Sequence, residues 1–227
     1  MSILSVLFVL FLNNWSWEIL SINPYTLCLV WLASLLLFLA IIKKSFNIFG
    51  IYLLLMIPIL IIQWKTTNNA GLSYMNVTEK HIFTYRKSEL PIFTIHIFNK
   101  TKTINSALHL ANERDFMFNK LEQNFFRSID LNLYFFGNHP RERAGIREFE
   151  KYTFLFLPFF FLGLYRLVTS NIKYPLVSLI IPLILLSFIG QDNPIGPFGL
   201  FPFYTATISV GILLTHNKLF SLLQKYK

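Results

Sequence analysis

Uncharged apolar runs, separated by short polar breaks, fill both ends of this chain, and one long polar stretch divides them into two groups. The first run, Met1–Trp17, has an apolar core at Ile3–Leu12, short for a span of about 20 residues. Trp15 and Trp17 nevertheless fall where an interfacial aromatic belt is expected. The run reads as a spanning helix, with a re-entrant or interfacial segment as the alternative. It has neither a basic leading segment nor a small-residue cleavage site, which argues against a cleaved signal peptide. Asn23-Pro24 breaks the chain before Thr26–Ile42, which Lys43-Lys44 closes, and Phe46–Trp64 follows at once. So short a link predicts a tight helical hairpin. Beyond the polar stretch come Tyr152–Tyr165, extendable to Val168 if Arg166 snorkels, then Tyr174–Gly190 and Ile195–Thr215. Pro58, Pro158, Pro175, Pro182 and Pro202 mark kinks or helix ends within these runs.

The polar middle is periodic enough to fold. Lys80–Tyr85 and Ile92–Phe98 read as strands joined by a turn through Arg86–Pro91. Thr103 reads as an N-cap for a helix from Ile104 to about Arg127, with Leu110, Met117, Leu121 and Phe125 at helical spacing. Ile129, Leu131, Leu133 and Phe135 alternate as in a half-buried strand, and Gly137-Asn138-His139-Pro140 ends it. The expected fold is a mainly α-helical polytopic membrane protein of about six transmembrane helices in a 3+3 order. A small α+β extracytoplasmic domain separates the third and fourth spans. The domains are then 1–64 and 152–227 in the membrane and 65–151 outside it.

Composition agrees with lipid as the main solvent. Of 227 residues, 54% are hydrophobic, 25 are Phe and only 14% are charged, against about 25% charged in soluble domains. Placement of charge matters more than the net +9. The seven basic residues outside the middle region (Lys43, Lys44, Arg166, Lys173, Lys218, Lys225 and Lys227) all fall on one side of a six-span arrangement. Glu18 and Asp192 fall on the other. Positive-inside logic then puts both termini in the cytoplasm and 65–151 outside it, in the cell envelope. The single cysteine, Cys28, cannot form an intrachain disulfide and reads as a small buried hydrophobe.

Candidate chemistry concentrates just before the fourth run, at His139, Arg141, Glu142, Arg143, Arg147, Glu148, Glu150 and Lys151. Guanidinium forks suit phosphate, so Arg141, Arg143 and Arg147 are candidate ligands for a lipid phosphate. His139, Glu142 or Glu148 would then supply proton transfer. The plainer reading is an interfacial lead-in whose charges pair, Glu148 with Lys151 and Glu142 with Arg143 and Arg147. His81, His96, His109 and His139 match no compact metal spacing, and no metal or other cofactor is expected. Asn112-Glu113-Arg114-Asp115 reads as a solvated helix face, and the sequons at Asn14, Asn76 and Asn99 decide nothing. No phosphate-binding glycine loop or GxSxG motif occurs, and the apolar runs lack Lys, Asp and Glu, which disfavours an ion-coupled carrier. Mixed charge signs in 65–151 give no case for nucleic acid. The expected partners are membrane lipids, and an envelope protein or a second copy of the chain. The reading reached is a multi-pass envelope protein, without assigned catalysis, whose extracytoplasmic domain binds a partner protein or lipid head group. The alternatives are an envelope enzyme acting on a phosphate-bearing, lipid-linked substrate, and a transporter or channel component.

Overall fold

Asn13 ends the first apolar run and starts the next element with one side chain. In the computed structural model its amide donates to Val9 O (2.6 Å) and Leu10 O (3.0 Å), closing α1 (Ser2–Leu12). Its side-chain oxygen accepts from Ser16 N (2.6 Å) and opens α2 (Asn14–Ile22), which leaves α1 at 66°. The side chain is fully buried, so backbone groups freed at the bend find partners without water, as hydrocarbon demands. The structure describes residues 2–67, 71–72, 77, 80–81, 84–85, 101–136, 149–170, 174–190 and 193–225.

The helical hairpin expected from the sequence is present. Asn23 caps α3 (Pro24–Lys43), accepting from Tyr25 N at 3.0 Å and Thr26 N at 3.2 Å, with Pro24 in the first turn, where no backbone donor is needed. Lys44, left-handed at φ 51°, and Ser45, whose hydroxyl accepts from Ile48 N, turn the chain directly into α4 (Phe46–Thr66).

The last helix, α9 (Phe201–Lys225), is entered through a 3-10 turn at Phe198–Leu200 and forms the axis of the bundle. Residues 197–211 are buried without interruption, the mark of a helix enclosed on all sides. α1, α3 and α7 (Leu157–Thr169) pack around it. The α7–α9 contact is reciprocal: a Cβ at Gly163 would lie 1.9 Å from Thr207 O, and one at Gly211 1.9 Å from Phe159 O. Each glycine faces a carbonyl one turn from the other, so small residues let the two backbones touch. α8 (Tyr174–Ile189) starts beside the α3–α4 turn, where Tyr174 OH donates to Ala40 O (2.9 Å) and its ring meets Phe46 and Phe49. It finishes at the opposite end, where Asn124 Nδ2 donates to Ser187 O (3.1 Å).

Two expectations are corrected. Among the described residues three helices, Pro24–Lys43, Phe46–Thr66 and Phe198–Lys218, are long and apolar enough to cross a membrane. Counting each bent pair as one span, α1 with α2 and α7 with α8 (115°), raises the number to five, not six. The shortfall is one of length: α1, α7 and α8 have 11, 13 and 16 residues. At about 1.5 Å per residue, each is shorter than a hydrocarbon core of about 30 Å.

The α+β middle is also overturned, since no strand occurs among the described residues. Lys80, His81, Thr84 and Tyr85 are helical, and Thr84 Oγ1 donates back to Lys80 O (2.7 Å). Ile92–Phe98 lies outside the described residues. The expected helix is there, as α5 (Thr101–Ile129), but 129–135 is no strand. Asp130 Oδ1 accepts from Asn132 N (3.0 Å), turns the chain and starts the single turn of α6 (Asn132–Phe135). Adjacent Tyr134 and Phe135 are both fully buried, which a strand, sending neighbours to opposite faces, would not allow at a sheet with one wet side. Cys28, expected inside, is exposed on α3.

Candidate functional site

The segment leading into the fourth apolar run threads through one end of the bundle, called here the junction end. Its backbone is tied on both sides: Lys151 N and Tyr152 N donate to Tyr134 O (3.1 and 2.8 Å), and Trp15 N donates to Lys151 O (3.2 Å). Asn14 Nδ2 donates to Glu150 O (3.1 Å), and the Glu150 carboxylate accepts from Phe154 N (2.9 Å) at the entry to α7. Lys151 is 3% exposed, and its ammonium donates to Leu133 O (3.0 Å). Phe149, Trp15 and Tyr134 surround that ammonium at 4.9, 5.7 and 5.9 Å from their ring centroids. A buried cation over three ring faces is held by their negative quadrupoles as well as by the carbonyl.

The rings continue inward as a stack. Tyr134 lies on Tyr204 at 4.1 Å and Phe160 on Tyr204 at 5.0 Å, with Tyr152 joining through Phe135 and Phe201. Two of the buried hydroxyls are tied down: Tyr134 OH donates to Ser128 O (2.6 Å), and Tyr152 OH is 2.8 Å from Thr205 Oγ1. Burial pushes the Tyr134 and Tyr152 hydroxyls well above the usual tyrosine range, so both are neutral near pH 7.

A loop over residues 193–200 closes this end. Trp15 Nε1 donates to Ile195 O (2.7 Å), Gly199 N donates to Gln63 Oε1 (3.1 Å), and Asn193 Nδ2 donates to Thr66 Oγ1 (2.6 Å). Gly196, at φ +79°, lies against Lys151: a Cβ there would be 2.9 Å from Lys151 Cε. Only glycine takes that backbone conformation and that proximity without strain.

Of the residues singled out in the sequence, Glu150 and Lys151 are brought into this cluster. His139, Arg141, Glu142, Arg143, Arg147 and Glu148 lie outside the described residues, as do His96 and the pairings proposed for Glu142 and Glu148. Sequence reasoning placed none of Trp15, Tyr134, Tyr204 and Gln63 in a site: Trp15, Gln63 and Tyr204 sit far from the charge cluster along the chain, and Tyr134 falls in the stretch read as a half-buried strand. The one available signal was a polar Asn-Trp-Ser interruption inside an apolar run. Among the described residues no group of histidines, cysteines and carboxylates could hold a metal ion. The described groups form a fastening: every polar atom named here is spent on backbone or on another side chain of the chain itself. None of the family models, the curated proteins or the solved structures compared with this chain matches it.

Proposed function

We propose that this chain is a multi-pass protein of the cell-envelope membrane that binds a partner through its 65–151 region, outside the cytoplasm, without catalysis of its own. Several apolar helices of spanning length are compatible with an integral membrane protein. The observation that carries the binding reading is the unburied aromatic line on α5. Phe118, Phe125 and Ile129 recur at i, i+7 and i+11, with Phe126 beside them, and all four are exposed. The buried face of that helix is a different one, marked by Asn124 and Ser128. Arg114, Asp115, Lys120, Glu122 and Arg127 share the helix, so the phenylalanines do not belong to a lipid-crossing segment. An apolar line left uncovered between charges is a contact surface for a lipid head-group layer or another envelope protein.

A photoreactive phenylalanine analogue placed at Phe118 and at Phe126 in native membranes tests this. Adducts to lipid or to one defined protein, absent when the analogue stands at Gln123, are expected. Solvent-quenched products alone at both positions would sink the reading. Labelling of Lys102→Cys, in a Cys28→Ser background, by an impermeant thiol reagent is expected from outside intact cells. Labelling only after permeabilisation overturns the orientation.

A further inference from the structure

We propose that the end of the bundle opposite the junction holds the phosphate of an anionic phospholipid between Lys44 and Arg166. A cavity of ≈ 220 Å³ opens there between the α3–α4 turn, the end of α7, the start of α8 and the last half of α9. Its polar lining is Lys44, Arg166, Ser170 and Asn217, and the rest is aliphatic, including Ile41 and Leu214. No lining residue is acidic, and neither cation has a carboxylate partner among the described residues. Two cationic residues therefore line one hollow that has no acidic residue in its walls.

The plain alternative is a pair of snorkelling cations at helix ends, where positive charge also suits the helix dipole. That accounts for each residue singly. It leaves unexplained why the two converge on an apolar-walled recess. Lys44 is fixed there by its left-handed backbone in a turn of defined geometry, with its N–H bonded to Ala40 O and Ile41 O. Arg166 is held one turn before the end of a helix locked to α9 through glycine contacts. A guanidinium fork, an ammonium and an amide beside aliphatic walls match a phosphodiester with acyl chains attached, and a free anion would make no use of those walls. Phospholipid is accordingly the occupant. The inference concerns the opposite end from the α5 line and stands independently of the partner-binding reading.

The test uses the full chain, stripped of lipid in a neutral detergent and offered an equimolar mixture of phosphatidylglycerol and phosphatidylcholine. Native mass spectrometry then reads the retained lipid. The wild type is expected to keep one phosphatidylglycerol in preference, and the K44Q/R166Q variant to lose that preference by about thirtyfold, near the effect of removing two surface cations. K44R/R166K, which keeps both charges, should retain it, separating charge from fold. Leu214→Trp, which fills the aliphatic hollow and leaves the cations, should also release the lipid. No selectivity in the wild type, or undiminished selectivity in K44Q/R166Q, overturns the proposal. Displacement of the lipid by millimolar inorganic phosphate would identify a free-anion site and overturn the lipid assignment.

Discussion

The two ends of the bundle handle polar groups in opposite ways. At the junction end a lysine, two tyrosines, a tryptophan and a glutamine are turned inward and bonded to backbone carbonyls, amides or hydroxyls of the same chain. At the basic end Lys44 and Arg166 stay exposed around an unfilled hollow. Buried polar groups without partners cost free energy, so a closed network favours one arrangement of the chain. Exposed cations around a recess leave their bonding capacity for something else. The difference teaches where stability and binding are separable: substitutions at the junction should destabilise the protein, and those at the basic end should change what it holds.

The sharpest way to break that separation is to loosen the helix pair that connects the ends. Gly163→Ala or Gly211→Ala would place a methyl 1.9 Å from a backbone carbonyl oxygen of the facing helix. No flexible side chain can yield there, so α7 and α9 must part. A loss of about 3 kcal/mol or more is expected, seen as a large fall in Tm in detergent, with lipid selectivity at the basic end lost too. Gly50→Ala is the control, because no atom lies within 4 Å of an added Cβ there.

Lys151 against Lys44 sharpens the contrast directly. Lys151→Met removes the donor to Leu133 O and the charge among three rings, at a cost of about 2–3 kcal/mol. Lys44→Gln should leave the stability within about 0.5 kcal/mol of the wild type, as exposed substitutions generally do. Equal effects in thermal unfolding would erase the distinction between the ends. Trp15→Phe comes next: it deletes a buried donor to Ile195 O and should cost about 1–2 kcal/mol, whereas exposed Trp17→Phe should cost less. Asn13→Ala should cost about as much as Trp15→Phe, because the caps of both α1 and α2 go with it.

The basic end was largely legible in the sequence, and the junction end was not. Lys43-Lys44 closing one apolar run, with the next beginning two residues later, dictates a hairpin with a cationic turn, and α3 and α4 follow within a few residues of the expected bounds. Arg166 near the end of an apolar run reads as a cation at a membrane edge for the same local reason. Lys151 carried no such local signal. It stood in a charge cluster, and its burial is decided by Trp15 and Tyr134, which only tertiary packing brings to it. The alternation at Ile129, Leu131, Leu133 and Phe135 misled in the same way, because it is genuine period-two patterning. Stacking of Tyr134 on Tyr204 and the Asp130 turn override it, so the backbone coils where propensity favours extension. α1 was too short for its role as a single span, and the polar Asn13 that shortens it is also the residue that makes the bend work.

A last contrast separates the ends by pH. Burial raises the Tyr134 hydroxyl, with Tyr204 and Tyr152 pushing the same way; burial raises Tyr152, partly offset by its bond to Thr205. A phenol whose folded-state pKa is raised keeps its proton after the unfolded chain has begun to lose it. Its contribution is therefore whole below about pH 10, the ordinary tyrosine value, and is lost as pH rises from there toward the folded value. Thermal unfolding in detergent should be flat from pH 8 to 9.5 and then fall by up to about 1.4 kcal/mol per pH unit for each such tyrosine. In Tyr152→Phe, which forfeits the Thr205 bond and starts from a lower Tm, the fall should be shallower by one group. K44Q/R166Q should keep the full slope, because the residues it changes belong to the end that binds and not to the end that fastens. A shallower slope in that variant would mean that the two ends titrate as one unit.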